Sequence, residues 1–276
     1  MPHFVCVTCG TQFAESAAPP AGCPICEDER QWVRWEGQAW TTLDELRRDH
    51  ANRIAPEGPG LTGIGTEPAF AIGQRALHVA APAPVLWDCV TVLDDASVRR
   101  LQALGGVTAI AISHPHYYSA CVEWSRALGG VPVYLHAADR EWVMRPDDAL
   151  VFWEGETQSL GEGLTLIRTG GHFAGGTVLH WAAGAGGGGA LLTGDLLQVT
   201  QDRRWISVMY SYPNLIPVDA DTLRRVTGAV APYRFEQIYG AWWGRNILAD
   251  AEAVVRRSAE RYLRAIGGAA GGRDGG

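Results

Sequence analysis

Four cysteines stand in two pairs, Cys6-x-x-Cys9 and Cys23-x-x-Cys26, the spacing at which thiolates converge on one ion. Without an export signal at the Met1-Pro2-His3-Phe4 start, the spacing predicts a metal site rather than a disulfide framework. Gly10 after the first pair and Pro24 inside the second suit tight turns around sulfur. A closed set of four thiolates is typical of structural zinc, so zinc is the predicted ion. Cys89 and Cys121 stand alone and are expected as small core residues.

A second constellation lies further along, in Ser113-His114-Pro115-His116-Tyr117-Tyr118-Ser119, where two imidazoles follow an apolar stretch read as a buried strand over 107–113. Composition narrows what such residues can do. All 23 basic residues are arginine, which excludes a Schiff-base lysine, a pyridoxal-phosphate anchor and a P-loop lysine. A net charge of -7 with no basic run argues against nucleic acid or an anionic membrane as partner. No apolar stretch is long enough to span a bilayer, and the cytoplasm is the expected location. The expected partner is a small-molecule substrate; the sequence says nothing of oligomeric state.

The elements that must carry these residues follow from periodicity and punctuation. Residues 1–36 are expected as the cysteine module, with the tryptophan-rich segment 32–40 packing it onto the rest. Residues 37–68 are expected as a linker holding a short helix, opened by a capping box from Thr42 and Glu45. Glycine and proline from 56 to 68 predict a loop there. Beyond it, strands are predicted at 70–74, 76–80, 85–89, 107–113, 131–136, 151–153, 164–168, 177–182 and 190–193. Helices are predicted at 95–104, 119–128, 137–144, 220–230 and 246–266. The glycine run 184–189 reads as a hairpin loop, and the tail 267–276 is expected to be disordered.

His114 and His116 resemble the first half of the His-x-His-x-Asp-His signature of the metallo-β-lactamase superfamily, in the manner of its glyoxalase II-like metal-dependent hydrolases. Three further segments are similar to that superfamily in the same order. Thr169-Gly170-Gly171-His172-Phe173-Ala174-Gly175 resembles its Gly-His loop, and Leu191-Leu192-Thr193-Gly194-Asp195 the strand ending in its bridging aspartate. Val85-Leu86-Trp87-Asp88-Cys89 resembles the early strand whose aspartate, here Asp88, supports the histidine loop. The resemblance covers 69–266 and implies a four-layer αββα sandwich, an α/β fold. The small zinc ribbon read from the cysteines precedes it, and its knuckles resemble those of rubredoxin, which would admit iron, although the interval between them is far shorter here. The superfamily resemblance implies His114, His116 and His172 as ligands of one metal, with Asp195 beside them. The second metal's ligands are replaced, by Tyr118, Ser119 and Trp242 or Trp243. A mononuclear zinc or iron centre is therefore expected.

Three histidines leave an open position for water, whose pKa zinc brings to roughly 7. If Asp195 joins the coordination, two histidines and one carboxylate form the facial triad of non-haem iron enzymes. Tyr118, in the place of the lost carboxylate, either assists catalysis or fills the space of the lost ion; Ser119 is expected to cap the helix that follows. Tyr117, Trp242 and Trp243 are expected either to wall an apolar substrate pocket or simply to pack. The leading expectation is a hydrolase of a small ester, thioester or lactone. An iron oxygenase or lyase is second, and a non-catalytic metal-binding protein third.

Overall fold

The computed structural model describes residues 1–267, so the expectation for the tail lies outside the described residues apart from Gly267. Two sheets stack face to face. The first runs, from edge to edge, Leu150–Trp153, Val133–His136, Ala109–Ala111, Val85–Trp87, Arg75–Val79, Leu61–Glu67 and Ala51–Gly58. Its first four strands are parallel and the rest antiparallel. The second runs Thr157–Gly161, Leu164–Arg168, Thr177–Trp181, Ala190–Gly194, Gln237–Gly240 and Asn246–Ile247.

Period-two alternation divides each strand between two cores. Val85, Trp87, Ala109 and Ala111 of the first sheet meet Leu164, Leu166, Leu179 and Leu192 of the second in the inner core. Leu86 and Ile110, one residue out of phase, face Leu101 and Trp124 of the helices Asp95–Ala103 and Cys121–Ala127. Leu191 and Ile238 face Val226 and Val254 of the helices Ala220–Val230 and Ala251–Ala265. Burying each such side chain stabilises the fold by roughly 1.5–3 kcal/mol relative to exposure. The result is the expected αββα layering.

The N-terminal module is a small three-stranded sheet, ordered Gln12–Glu15, His3–Cys6 and Trp40–Thr41. Its third strand lies beyond residue 36. The capping box is present: Glu45 N–H donates to Thr42 Oγ1 at 3.3 Å, and Thr42 N–H donates to Glu45 Oε2 at 3.1 Å. The tryptophan-rich segment, however, does not pack as expected. Trp35 is 97% exposed, and Trp40 stacks on Phe13 within the module itself.

Residues 51–67 depart furthest from the reading of a linker and loop: they form a long antiparallel hairpin at the edge of the first sheet. Residues 70–74 are not a strand but an irregular turn with Ala71 at φ +53°. That turn is held by side chains, Trp242 Nε1–H donating to Ile72 O and Gln74 Nε2–H to Cys89 O. The predicted helix over 246–266 begins as a short strand, Asn246–Ile247, and turns helical only at Ala251.

Candidate metal centre

The parallel strands of the first sheet deliver the histidine pair. Asp88 follows the strand Val85–Trp87, and its carboxylate accepts the Ser113 N–H at 2.8 Å at the end of the neighbouring strand. Ser113 is the joint between the sheets, because its carbonyl accepts Thr177 N–H at 2.9 Å from the second sheet. A short 3₁₀ turn, Pro115–Tyr117, then brings His114 and His116 round toward His172. His172 arrives on the loop between the antiparallel strands Leu164–Arg168 and Thr177–Trp181. Asp195 follows the strand Ala190–Gly194. Gly194 is required there: a Cβ would lie 2.7 Å from Ser113 Oγ and 3.0 Å from the Tyr117 ring.

One nitrogen from each of the three imidazoles lies within 4.8 Å of the other two. His172 Nδ1–H donates to Tyr210 O at 2.6 Å, which fixes the tautomer and turns the Nε2 lone pair inward. That Nε2 lies 3.1 Å from His116 Nδ1, close to the edge of about 3.3 Å expected between two nitrogens on one tetrahedral zinc. His114 Nδ1 lies 3.0 Å from Ser113 Oγ, leaving Nε2 bare, 3.4 Å from Asp195 Oδ1. Both of those last atoms are buried without a hydrogen-bond partner. Orphaned buried acceptors are costly, and a cation at their centre satisfies them together. The donor set therefore fits a divalent metal ion.

Burial lowers the affinity of all three imidazoles for a proton, taking His172 down to about 4. They are neutral at physiological pH, the state a ligand needs. Burial also pushes the Asp195 carboxyl up to about 7, opposed by the Tyr117 hydroxyl beside it.

Residues matched to the second metal's ligands point elsewhere. Tyr118 Oη–H donates to the carbonyl of Asp139 at 3.4 Å, and its ring belongs to the core of the first sheet's outer face. Ser119 does not cap the following helix, whose N-cap is Ala120; its hydroxyl meets Gln74 Nε2 at 3.0 Å and Cys89 O at 3.3 Å. Trp242 packs on the turn at Ile72, and Trp243 lies across Gly63 and Gly65 of the edge hairpin. Neither tryptophan walls the imidazoles. Of the aromatic residues expected there, Tyr117 meets one of the imidazoles, edge-on to His114 with ring centroids 4.6 Å apart.

The four cysteines of the N-terminal module form the other cluster. All are buried and unbridged, with Cys6 and Cys26 sulfurs 3.6 Å apart and Cys9 and Cys23 sulfurs 3.7 Å apart. Those separations match the edge of about 3.8 Å for four sulfurs on a tetrahedral zinc. Gln38 Nε2–H donates to Cys6 Sγ at 3.2 Å.

Several residues around the histidines gave no signal in the sequence. Phe173 touches all three imidazoles, at 5.4, 4.9 and 5.1 Å from His114, His116 and His172. Arg30 lies over the Phe173 ring at 4.1 Å, and Asp139 accepts Gly175 N–H at 2.7 Å to shape the His172 loop. Each sits outside any ligand spacing, and only tertiary contact reveals it.

The chain is 47% identical over 269 residues to the uncharacterized protein YmaE of Bacillus subtilis (strain 168), covering 96% of this chain and 97% of that protein. No family model matches. Among solved structures, the metallo-β-lactamase FIM-1 from Pseudomonas aeruginosa in a mono-zinc form superposes with a TM-score of 0.56 at 14% identity, over 76% of this chain and 96% of that one. TTHA1623 in a di-iron-bound form does so with a TM-score of 0.50 at 19% identity, over 75% and 98%. At such identities the likeness establishes a shared fold.

Proposed function

Since this chain belongs to the family of the Bacillus subtilis protein YmaE and has the metallo-β-lactamase fold, we propose that it is a hydrolase with a mononuclear histidine centre, acting on a small ester, thioester or lactone. The observation that carries the reading is the convergence of three neutral, buried imidazoles with the unpartnered Asp195 Oδ1. The residues matched to the second metal's ligands, Tyr118, Ser119 and Trp242 or Trp243, have side chains committed to other partners, which favours one ion. Zinc in this centre and zinc in the four-cysteine module is the assignment that suits both donor sets. When bound, a divalent cation there supplies Lewis-acid polarisation and a water of lowered pKa.

The chain's own residues do the rest. The Tyr210 carbonyl holds the His172 tautomer, Ser113 Oγ orients the His114 ring, and Asp88 fixes the loop that carries His114. The Asp195 carboxylate, beside His114, would orient a nucleophilic water and accept its proton through the oxygen not turned to the ion. The apolar ring of Phe173 lies against all three buried imidazoles and limits the room for solvent beside them.

Asp195 Oδ1, 3.4 Å from His114 Nε2, also supports a second reading, in which it joins two histidines as an iron facial triad. One experiment separates the two. The purified protein is assayed on a panel of aryl esters, thioesters and lactones, then chelated, then reconstituted with zinc or with iron. Turnover lost on chelation and restored by zinc is the expected result. Oxygen consumption restored by iron alone supports the second reading. No turnover of any kind by fully metallated protein contradicts both and leaves a binding protein.

A further inference from the structure

The four-cysteine module grips both loops that carry the histidines. Gln12 N–H donates to Ser119 O at 3.0 Å, just past the His114–Tyr118 segment. On the other side Arg30, four residues after Cys26, reaches the His172 loop. Its Nε and Nη2 donate to the two oxygens of Asp28 at 2.5 and 2.9 Å, and its Nη1 donates to His172 O at 3.3 Å. The guanidinium plane covers Phe173, the ring common to all three imidazoles.

The segment bearing Arg30 is itself clamped. Ser211 Oγ–H donates to Arg30 O at 3.1 Å, and Asn214 Nδ2–H donates to Glu29 O and to Gln31 O at 2.9 Å each. Tyr210 hydroxyl donates to the Glu29 carboxylate, while Tyr210 O accepts His172 Nδ1–H. One strap therefore ties the cysteine knuckle to a histidine ligand at two points, its carbonyl and its ring.

From this geometry we infer that Arg30 is a positioning residue of the histidine centre, supplied by the four-cysteine module, and that it controls passage of the metal ion to and from His114, His116 and His172. The inference rests on the metal-centre reading above. An ion held by buried ligands leaves only when a ligand loop opens. The bond from the guanidinium to His172 O is charge-assisted, and its loss leaves a carbonyl unpaired and the loop free to move. Asp28 offsets the charge that would otherwise repel an entering cation.

The test is zinc release from the fully metallated chain into excess chromogenic chelator, followed in time. The phase missing from His116→Ala belongs to the histidine centre, and the remaining phase to the cysteines. In Arg30→Met the histidine phase is expected to accelerate by about tenfold or more while the cysteine phase keeps its rate. Tyr210→Phe, which loosens the strap but keeps the backbone bond to His172, is expected to accelerate the same phase less. If Arg30→Met does not fold, Tyr210→Phe decides alone. An unchanged histidine phase, or equal acceleration of both phases, overturns the inference. Because release and not turnover is read, a protein inactive on every ester can still bear out the role of Arg30. A working hydrolase with unchanged release loses that role only. No histidine phase in the unmodified protein overturns the metal-centre reading and this inference together.

Discussion

Every imidazole of the histidine centre has one nitrogen free for the ion, and two have the other fixed by a neighbour: His114 by Ser113 and His172 by Tyr210. His116 differs, since its Nε2 is buried and unpartnered. Tyr118, the residue that takes the place of the family carboxylate, is outside this arrangement. Its hydroxyl reaches only the Asp139 carbonyl, so Tyr118→Phe is expected to keep full metal content and turnover and to lose at most about 1 kcal/mol of stability. Loss of the histidine-centre metal in that variant would restore a role for Tyr118 there. At this scale the histidine cluster was legible because coordination demands residue types at fixed places, and His114, His116 and His172 converge, with Asp195 beside His114. Tyr118, Trp242 and Trp243 were not legible in the same way. A motif gives their positions in the chain but not the direction of their side chains, which packing decides.

Among the elements, the hairpin 51–67 shows why its sequence reads as a loop. Pro56 lies in the strand Ala51–Gly58 at the sheet edge, where a missing N–H costs no ladder bond. Gly63 and Gly65 lie in the adjoining strand because the Trp243 ring occupies the space of their side chains; a Cβ on Gly63 would stand 2.6 Å from it. Arg53 and Arg75 flank the same ring at 4.6 and 5.5 Å. Breaker residues here record a close approach by a distant tryptophan, which local pattern cannot reveal. Gly63→Val is accordingly expected to destabilise the protein by about 1–3 kcal/mol, read as a lowered denaturation midpoint. The paired variant Gly63→Val with Trp243→Ala should lose less than the sum of the two single changes. Strict additivity would remove the account of these glycines.

Across the whole molecule, alternation in the strands made the sandwich legible, since Leu86, Ile110, Leu191 and Ile238 stand out of phase with their inner-core neighbours. The union of the N-terminal module with the sandwich was not. Its expected glue, the tryptophan-rich segment, leaves Trp35 in solvent, whereas Val5 buried in the outer core of the first sheet, Trp142 and Met144 against the cysteine core, and polar bonds from Gln12 and Arg30 make the joint. Such bonds carry no periodicity in the chain. The molecule thus joins a cluster of four cysteines to a cluster of three histidines, each able to hold a metal ion, and no helix among its described residues is long and apolar enough to cross a membrane.

The ligand sets call for one ion in the histidine centre beside one in the four-cysteine module. Elemental analysis of metal per chain, on protein purified without added metal, counts them, with His116→Ala as the comparison. Two atoms per chain, falling to one in His116→Ala, is the predicted result. A single atom per chain that His116→Ala leaves in place would contradict it.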